Sequence, residues 1–136
     1  MRHPVIGALV AALGAACAGA DPDAPSPSGA PSVTLLQPLD GSTVCGTPLQ
    51  VAVRVENYVL VEFGPEVAVP GEGHVDFALN GQNVWMTYEP AFEIPEVDPG
   101  LYELEAILVD GTHHAIEPEV SDLVRITVDP QVCPTR

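Results

Sequence analysis

The chain has 136 residues, with nineteen Asp and Glu against four Arg and no Lys, and a formal net charge of -15 at pH 7. Such a charge repels phosphate, which argues against nucleic acid as a partner and against direct adhesion to anionic lipid. The length suits one domain with a core of ordinary size.

The first element is the run Met1 to Ala20. Arg2 precedes an apolar stretch that closes on Ala15, Ala16, Cys17, Ala18, Gly19 and Ala20, the charged, apolar, small order of a secretory signal. Val5 to Ala20 is shorter than the roughly 18 apolar residues that a membrane-crossing helix needs. Leu13-Gly14-Ala15-Ala16-Cys17 resembles the box that ends bacterial lipoprotein signals, with Leu13 one position further upstream. That resemblance implies a signal over residues 1–16, lipid on Cys17 and an outer-membrane-anchored protein. Cleavage after Ala18 or Ala20 gives a secreted protein instead. Residues 21–32 hold four prolines among Ser, Ala, Gly and Asp, a composition that forms no core and reads as an extended tether. The tether and the lipid-bearing Cys17 together span residues 17–32.

Cysteine parity bears on the same choice. Three cysteines leave an odd thiol in an oxidising compartment. With Cys17 lipidated, Cys45 and Cys133 remain to pair, closing a loop of nearly ninety residues. Two unpaired buried cysteines are the alternative.

From Val33 to the end at residue 136 the pattern is strand-like. Leu49, Val51, Val53 and Val55 alternate with Gln50, Ala52, Arg54 and Glu56, a period of two. Val75 to Leu79, Tyr102 to Leu108 and Val124 to Val128 repeat it, and Asp40-Gly41, Gly64-Pro65, Pro70-Gly71, Asn80-Gly81, Pro99-Gly100 and Asp110-Gly111 punctuate it. Regular short strands between turns predict an all-β, antiparallel sandwich of about seven strands.

Pro38-Leu-Asp-Gly-Ser-Thr-Val44 followed by Leu49 to Val55 resembles the opening two strands of bacterial immunoglobulin-like domains. Val97-Asp-Pro-Gly-Leu-Tyr-Glu-Leu104 resembles the turn into their sixth strand, where Tyr102 would form a tyrosine corner by bonding nearby backbone. The span from Gly73 through His114 is similar to small secreted Ig-like domains that read Gly-His-x-His-x-x-x-Asp-Gly, with Asp76 here in place of the second His and Asn80 in place of the Asp. The resemblance implies an immunoglobulin-like or fibronectin-III-like fold.

Asn80-Gly81 predicts a two-residue type I′ hairpin. A regular register from that turn sets Phe77 opposite Val84 and Val75 opposite Met86 on the apolar face. His74, Asp76 and Ala78 then face Thr87, Trp85 and Asn83 on the outer one. Trp85, with Thr87 and Asn83, is thereby a candidate ligand platform; a slip or bulge would turn Trp85 inward. His74 and Asp76, with His113 or His114 from a later loop, form a candidate copper or zinc set, although no tight ligand spacing is present. No Gly-x-Ser-x-Gly elbow, Walker loop, His-Glu-x-x-His or EF-hand loop occurs in the sequence. Glu103 and Glu105 read as outward positions of an amphipathic strand. The expectation is a non-catalytic cell-envelope lipoprotein that binds a protein or glycan, needs no cofactor and meets the membrane only through Cys17. The alternative is an extracytoplasmic copper- or zinc-binding protein.

Overall fold

In the computed structural model, which describes residues 29–135, the alternating segments become two facing sheets. One contains β1 (Ser32–Gln37), β3 (Leu49–Glu56) and β7 (Ala91–Ile94), in the order β1-β3-β7. The other is built from β2 (Thr43–Val44), β4 (Val59–Leu60), β5 (Glu72–Leu79), β6 (Gln82–Thr87), β8 (Gly100–Asp110) and β9 (Ser121–Val128). Its order is β2-β9-β8-β5-β4, with β6 also paired to β5. The fold is an antiparallel β-sandwich of the immunoglobulin or fibronectin-III kind. Its seven longer strands pair antiparallel, while the two-residue β2 and β4 pair parallel with β9 and β5. Two residues are too few to show a period, so these short strands leave no trace in the sequence pattern. Cys17, the signal and most of the tether lie outside the described residues.

The period of two decides the core. Leu49, Val51 and Val53 of β3 face Val75, Phe77 and Leu79 of β5, with Leu104, Ala106 and Leu108 of β8 and Val124, Ile126 and Val128 of β9. Each large apolar side chain buried here contributes about 1.5–3 kcal/mol. Polar links tie the sheets and turns to this core. The Leu35 N–H donates to Asp122 Oδ2 at 2.8 Å, joining β1 to β9 across the sandwich. The Arg125 N–H donates to Asp40 Oδ1 at 2.8 Å, and the Gly41 N–H returns to the Arg125 carbonyl at 2.7 Å. The Tyr102 hydroxyl donates to the Asp98 carbonyl at 2.8 Å, the corner that the sequence anticipates. Asn80 (φ 52) and Gly81 (φ 84) both take positive φ, as a type I′ turn requires. The Asn80 side chain docks that turn on β8, accepting the Glu103 N–H at 2.8 Å.

Cys45 and Cys133 form a disulfide with a Cα–Cα distance of 4.7 Å. It joins the segment after β2 to the end of the short 3₁₀ turn Pro130–Val132, so the last residues are held to the opening of the sandwich. Closing a loop of this length contributes about 4 kcal/mol in the chain-entropy description. Replacing both cysteines by serine should therefore lower the urea-unfolding free energy by about 2–4 kcal/mol. Reduction of the wild type should produce the same loss, and reductant should not affect the double variant.

Tyr58 is the other fastener. Its hydroxyl lies 2.9 Å from both the Glu72 and the Val109 carbonyls, bridging β5 and β8. A Cβ at Gly73 would run into the Val109 carbonyl and that hydroxyl, so the bridge needs glycine there. Burial, with smaller contributions from the Asp110 and Glu72 charges, pushes the phenol from 10.0 up to about 12. The folded chain thus keeps its proton where the unfolded chain loses it. The contribution is complete below pH 10 and is lost as pH rises through about 12. Tyr58→Phe should be less stable than wild type at neutral pH by about 1 kcal/mol, and its urea midpoint should fall less steeply across that alkaline window.

Candidate functional site

An antiparallel sandwich ordinarily leaves the outer face of each sheet to water. β5 departs from this, because every residue from Gly73 to Leu79 is buried. Val75, Phe77 and Leu79 point into the core, so the alternation puts His74, Asp76 and Ala78 on the outer face. His74 is nevertheless only 3% exposed and Asp76 only 4%.

Two segments cover them. Phe63, between β4 and β5, packs its ring 4.6 Å from that of His74 and meets Tyr88 edge-on at 5.1 Å. From the other side the His113 ring stacks on His74, with centroids 5.1 Å apart and planes 19° from parallel. Gly111 lets the two segments meet, since a Cβ there would strike the Val67 carbonyl.

The turn that presents His113 is organised by Asp110. Its Oδ1 accepts the N–H groups of Thr112 at 2.7 Å and His114 at 3.2 Å, together with the Thr112 hydroxyl. The Thr112 bonds lead in holding the Asp110 carboxyl below its usual range. The backbone closes through Asp110 N–H to the His114 carbonyl at 2.8 Å and His113 N–H to the Asp110 carbonyl at 3.0 Å. This turn places His113 at φ 67, a left-handed conformation uncommon outside glycine. His114 points elsewhere and is exposed, with Nδ1 2.8 Å from Thr112 Oγ1. Of the histidine pair in the sequence, the fold brings His113 to His74 and Asp76, and not His114.

Four atoms set this cluster apart. Among the described residues, the buried side-chain nitrogen and oxygen atoms without a hydrogen-bond partner are His74 Nδ1 and Nε2, Asp76 Oδ1 and His113 Nδ1. Each such group costs about 1–3 kcal/mol, and a charged one more. Burial pushes the Asp76 carboxyl up, with His113 and then His74 pulling it back. No three His, Cys, Asp or Glu among the described residues stand in ligating geometry.

The Trp85 platform needs a correction of register. Leu79 pairs with Gln82 and Ala78 with Asn83, but the register then shifts, so that Phe77 pairs with Trp85, Asp76 with Met86 and Val75 with Thr87. The bulge takes up Val84 and moves Trp85 and Thr87 to the inner side. Trp85 lies parallel to Phe92 with centroids 6.1 Å apart and stays 37% exposed at the rim of the core. Thr87 is 6% exposed, and its hydroxyl accepts the Glu89 N–H at 2.9 Å. It is therefore not part of an outer platform. The bulge gives the indole an aromatic neighbour in Phe92 that a regular ladder would deny it. Val84 and Met86 are left exposed. With Asn83, Trp85 and Asp76 they line an open hollow of about 450 Å³.

Phe63 and Tyr88 escape sequence reasoning. The segment 61–71 has no periodicity, and nothing local marks an aromatic that packs over a distant strand.

The sequence matches no protein-family model and no curated protein. Among solved structures, the chain is similar to fibronectin(III)-like modules of Clostridium thermocellum CbhA, at 19% identity and a TM-score of 0.49 over 74% of this chain and 99% of that one. It is also similar to an engineered protein, at 18% identity and a TM-score of 0.45, where it spans 20% of that chain's length and 74% of its own.

A buried carboxylate with an orphaned oxygen destabilises the fold that holds it. Asp76→Asn is expected to leave the metal-free protein as stable as wild type or more so, by up to about 1 kcal/mol in urea unfolding. A loss of that size would mean that Asp76 has a partner stabilising its charge.

Proposed function

We propose that the chain is an exported lipoprotein of the cell envelope, with a non-catalytic sandwich that binds a protein or glycan partner. The observation that carries this reading is the Cys45–Cys133 bridge. It uses two of the three cysteines and leaves Cys17, at the end of the signal, as the odd one. A disulfide belongs to an oxidising compartment, and lipid on Cys17 disposes of the remaining thiol.

The charge supports the same mode of attachment. At -15 the chain is repelled by anionic headgroups, whereas buried acyl chains contribute about 0.8 kcal/mol per CH₂ whatever the charge of the domain. No helix among the described residues is long and apolar enough to cross a membrane. The proline-rich segment after Cys17 would hold the sandwich clear of the lipid surface, as an extended spacer does. The exposed Val84 and Met86 beside the Trp85 rim offer an apolar surface of the kind that packs on a protein or a sugar ring.

Mass spectrometry of the mature protein isolated from membranes tests the reading. The expected result is a chain beginning at Cys17 that carries a diacylglycerol thioether, and a Cys17→Ser protein that leaves the membrane fraction. An unmodified terminus at Gly19 or Asp21 would contradict it.

A further inference from the structure

We propose that His74, His113 and Asp76 together form a binding site for one divalent transition-metal ion, of the zinc or copper class. Four orphaned polar atoms are gathered at one place, on three residues from two elements distant in sequence. A neutral imidazole has one N–H to donate and one lone pair to give, and His74 finds a partner for neither. Two imidazoles and a carboxylate are a donor set suited to zinc and copper.

The local structure supplies the convergence. Strand alternation puts His74 and Asp76 on one face two residues apart, and the Asp110 turn, with His113 at φ 67, holds the His113 ring against that of His74. The two imidazoles are stacked, so ligation requires them to turn about their side-chain torsions, with β5 held by its neighbours β8 and β6. Phe63 roofs the site and is itself half-exposed, which leaves a way in. The excess of acidic groups over the whole chain favours entry of a cation. Such a site needs neither lipid at Cys17 nor a partner at the β6 surface.

The test is zinc titration of the full chain by calorimetry, with cobalt(II) absorption as a spectroscopic probe and thermal unfolding as a check of fold. The expected result is saturable binding of one zinc per chain, cobalt d–d bands, and a Tm that rises with zinc. His113→Gly suits the left-handed backbone, so it should unfold cooperatively and bind zinc at least about a hundredfold more weakly. His74→Ala should lose binding as well, and His114→Ala should bind as wild type does. No heat of binding and no cobalt bands from folded protein would overturn the proposal. Undiminished affinity in folded His113→Gly would overturn it too, as would loss of binding in His114→Ala alone.

Discussion

The structure depends on β5 being buried on both faces. Its inner residues Val75, Phe77 and Leu79 tie the two sheets together, and its ladder to β8 runs from Gly73 to Leu79 without a break. A central strand of this kind normally has apolar residues on both sides. Here the outer side carries an imidazole and a carboxylate, so the chain bears a desolvation cost that an apolar pair would avoid. The elements around β5 are arranged about that cost. Phe63 and His113 cover it, Tyr58 pins β5 to β8 beside it, and Asp110 shapes the turn that brings His113 across.

The bulge in β6 belongs to the same logic. A regular ladder would place Trp85 over Asp76 and Val84 over Phe77 on the core side. Taking up one residue reverses those positions, giving the indole to the rim of the core beside Phe92 and leaving Val84 and Met86 outside. The outer face near β6 is consequently apolar and open, and Asp76, itself only 4% exposed, borders it from β5. The outer face thus carries exposed apolar side chains on β6 beside buried polar ones on β5. The rest of the acidic surface takes little part in this. Its ion pairs, Arg54 with Glu56 and Arg125 with Glu103, are exposed and contribute little to stability.

Much of this was legible in the residues. Alternation in β3, β8 and β9 assigns the core face, and Asn80-Gly81 sets the hairpin because only a few residues tolerate positive φ at both positions. The corner at Tyr102 came from the resemblance of Val97 to Leu104 to the corresponding turn of immunoglobulin-like domains. The grouping of His74 and Asp76 followed from strand alternation alone. The sequence left a bulge turning Trp85 inward as an alternative to the regular ladder, and could not choose between them because the indole's neighbour, Phe92, lies on another strand. The choice of His113 over His114 was equally hidden, since it rests on hydrogen bonds from Asp110 within a turn. The burial of His74 came in part from Phe63 in an aperiodic segment, which no local pattern announces.

In the folded chain the outer face of β5 keeps a histidine and a carboxylate almost wholly out of solvent. Diethylpyrocarbonate modification of the native chain, followed residue by residue by mass spectrometry, addresses it directly. The expected result is rapid modification of exposed His114, slower reaction at His113, and protection of His74 until the protein unfolds. Modification of His74 at the rate of His114 in the folded protein would contradict it.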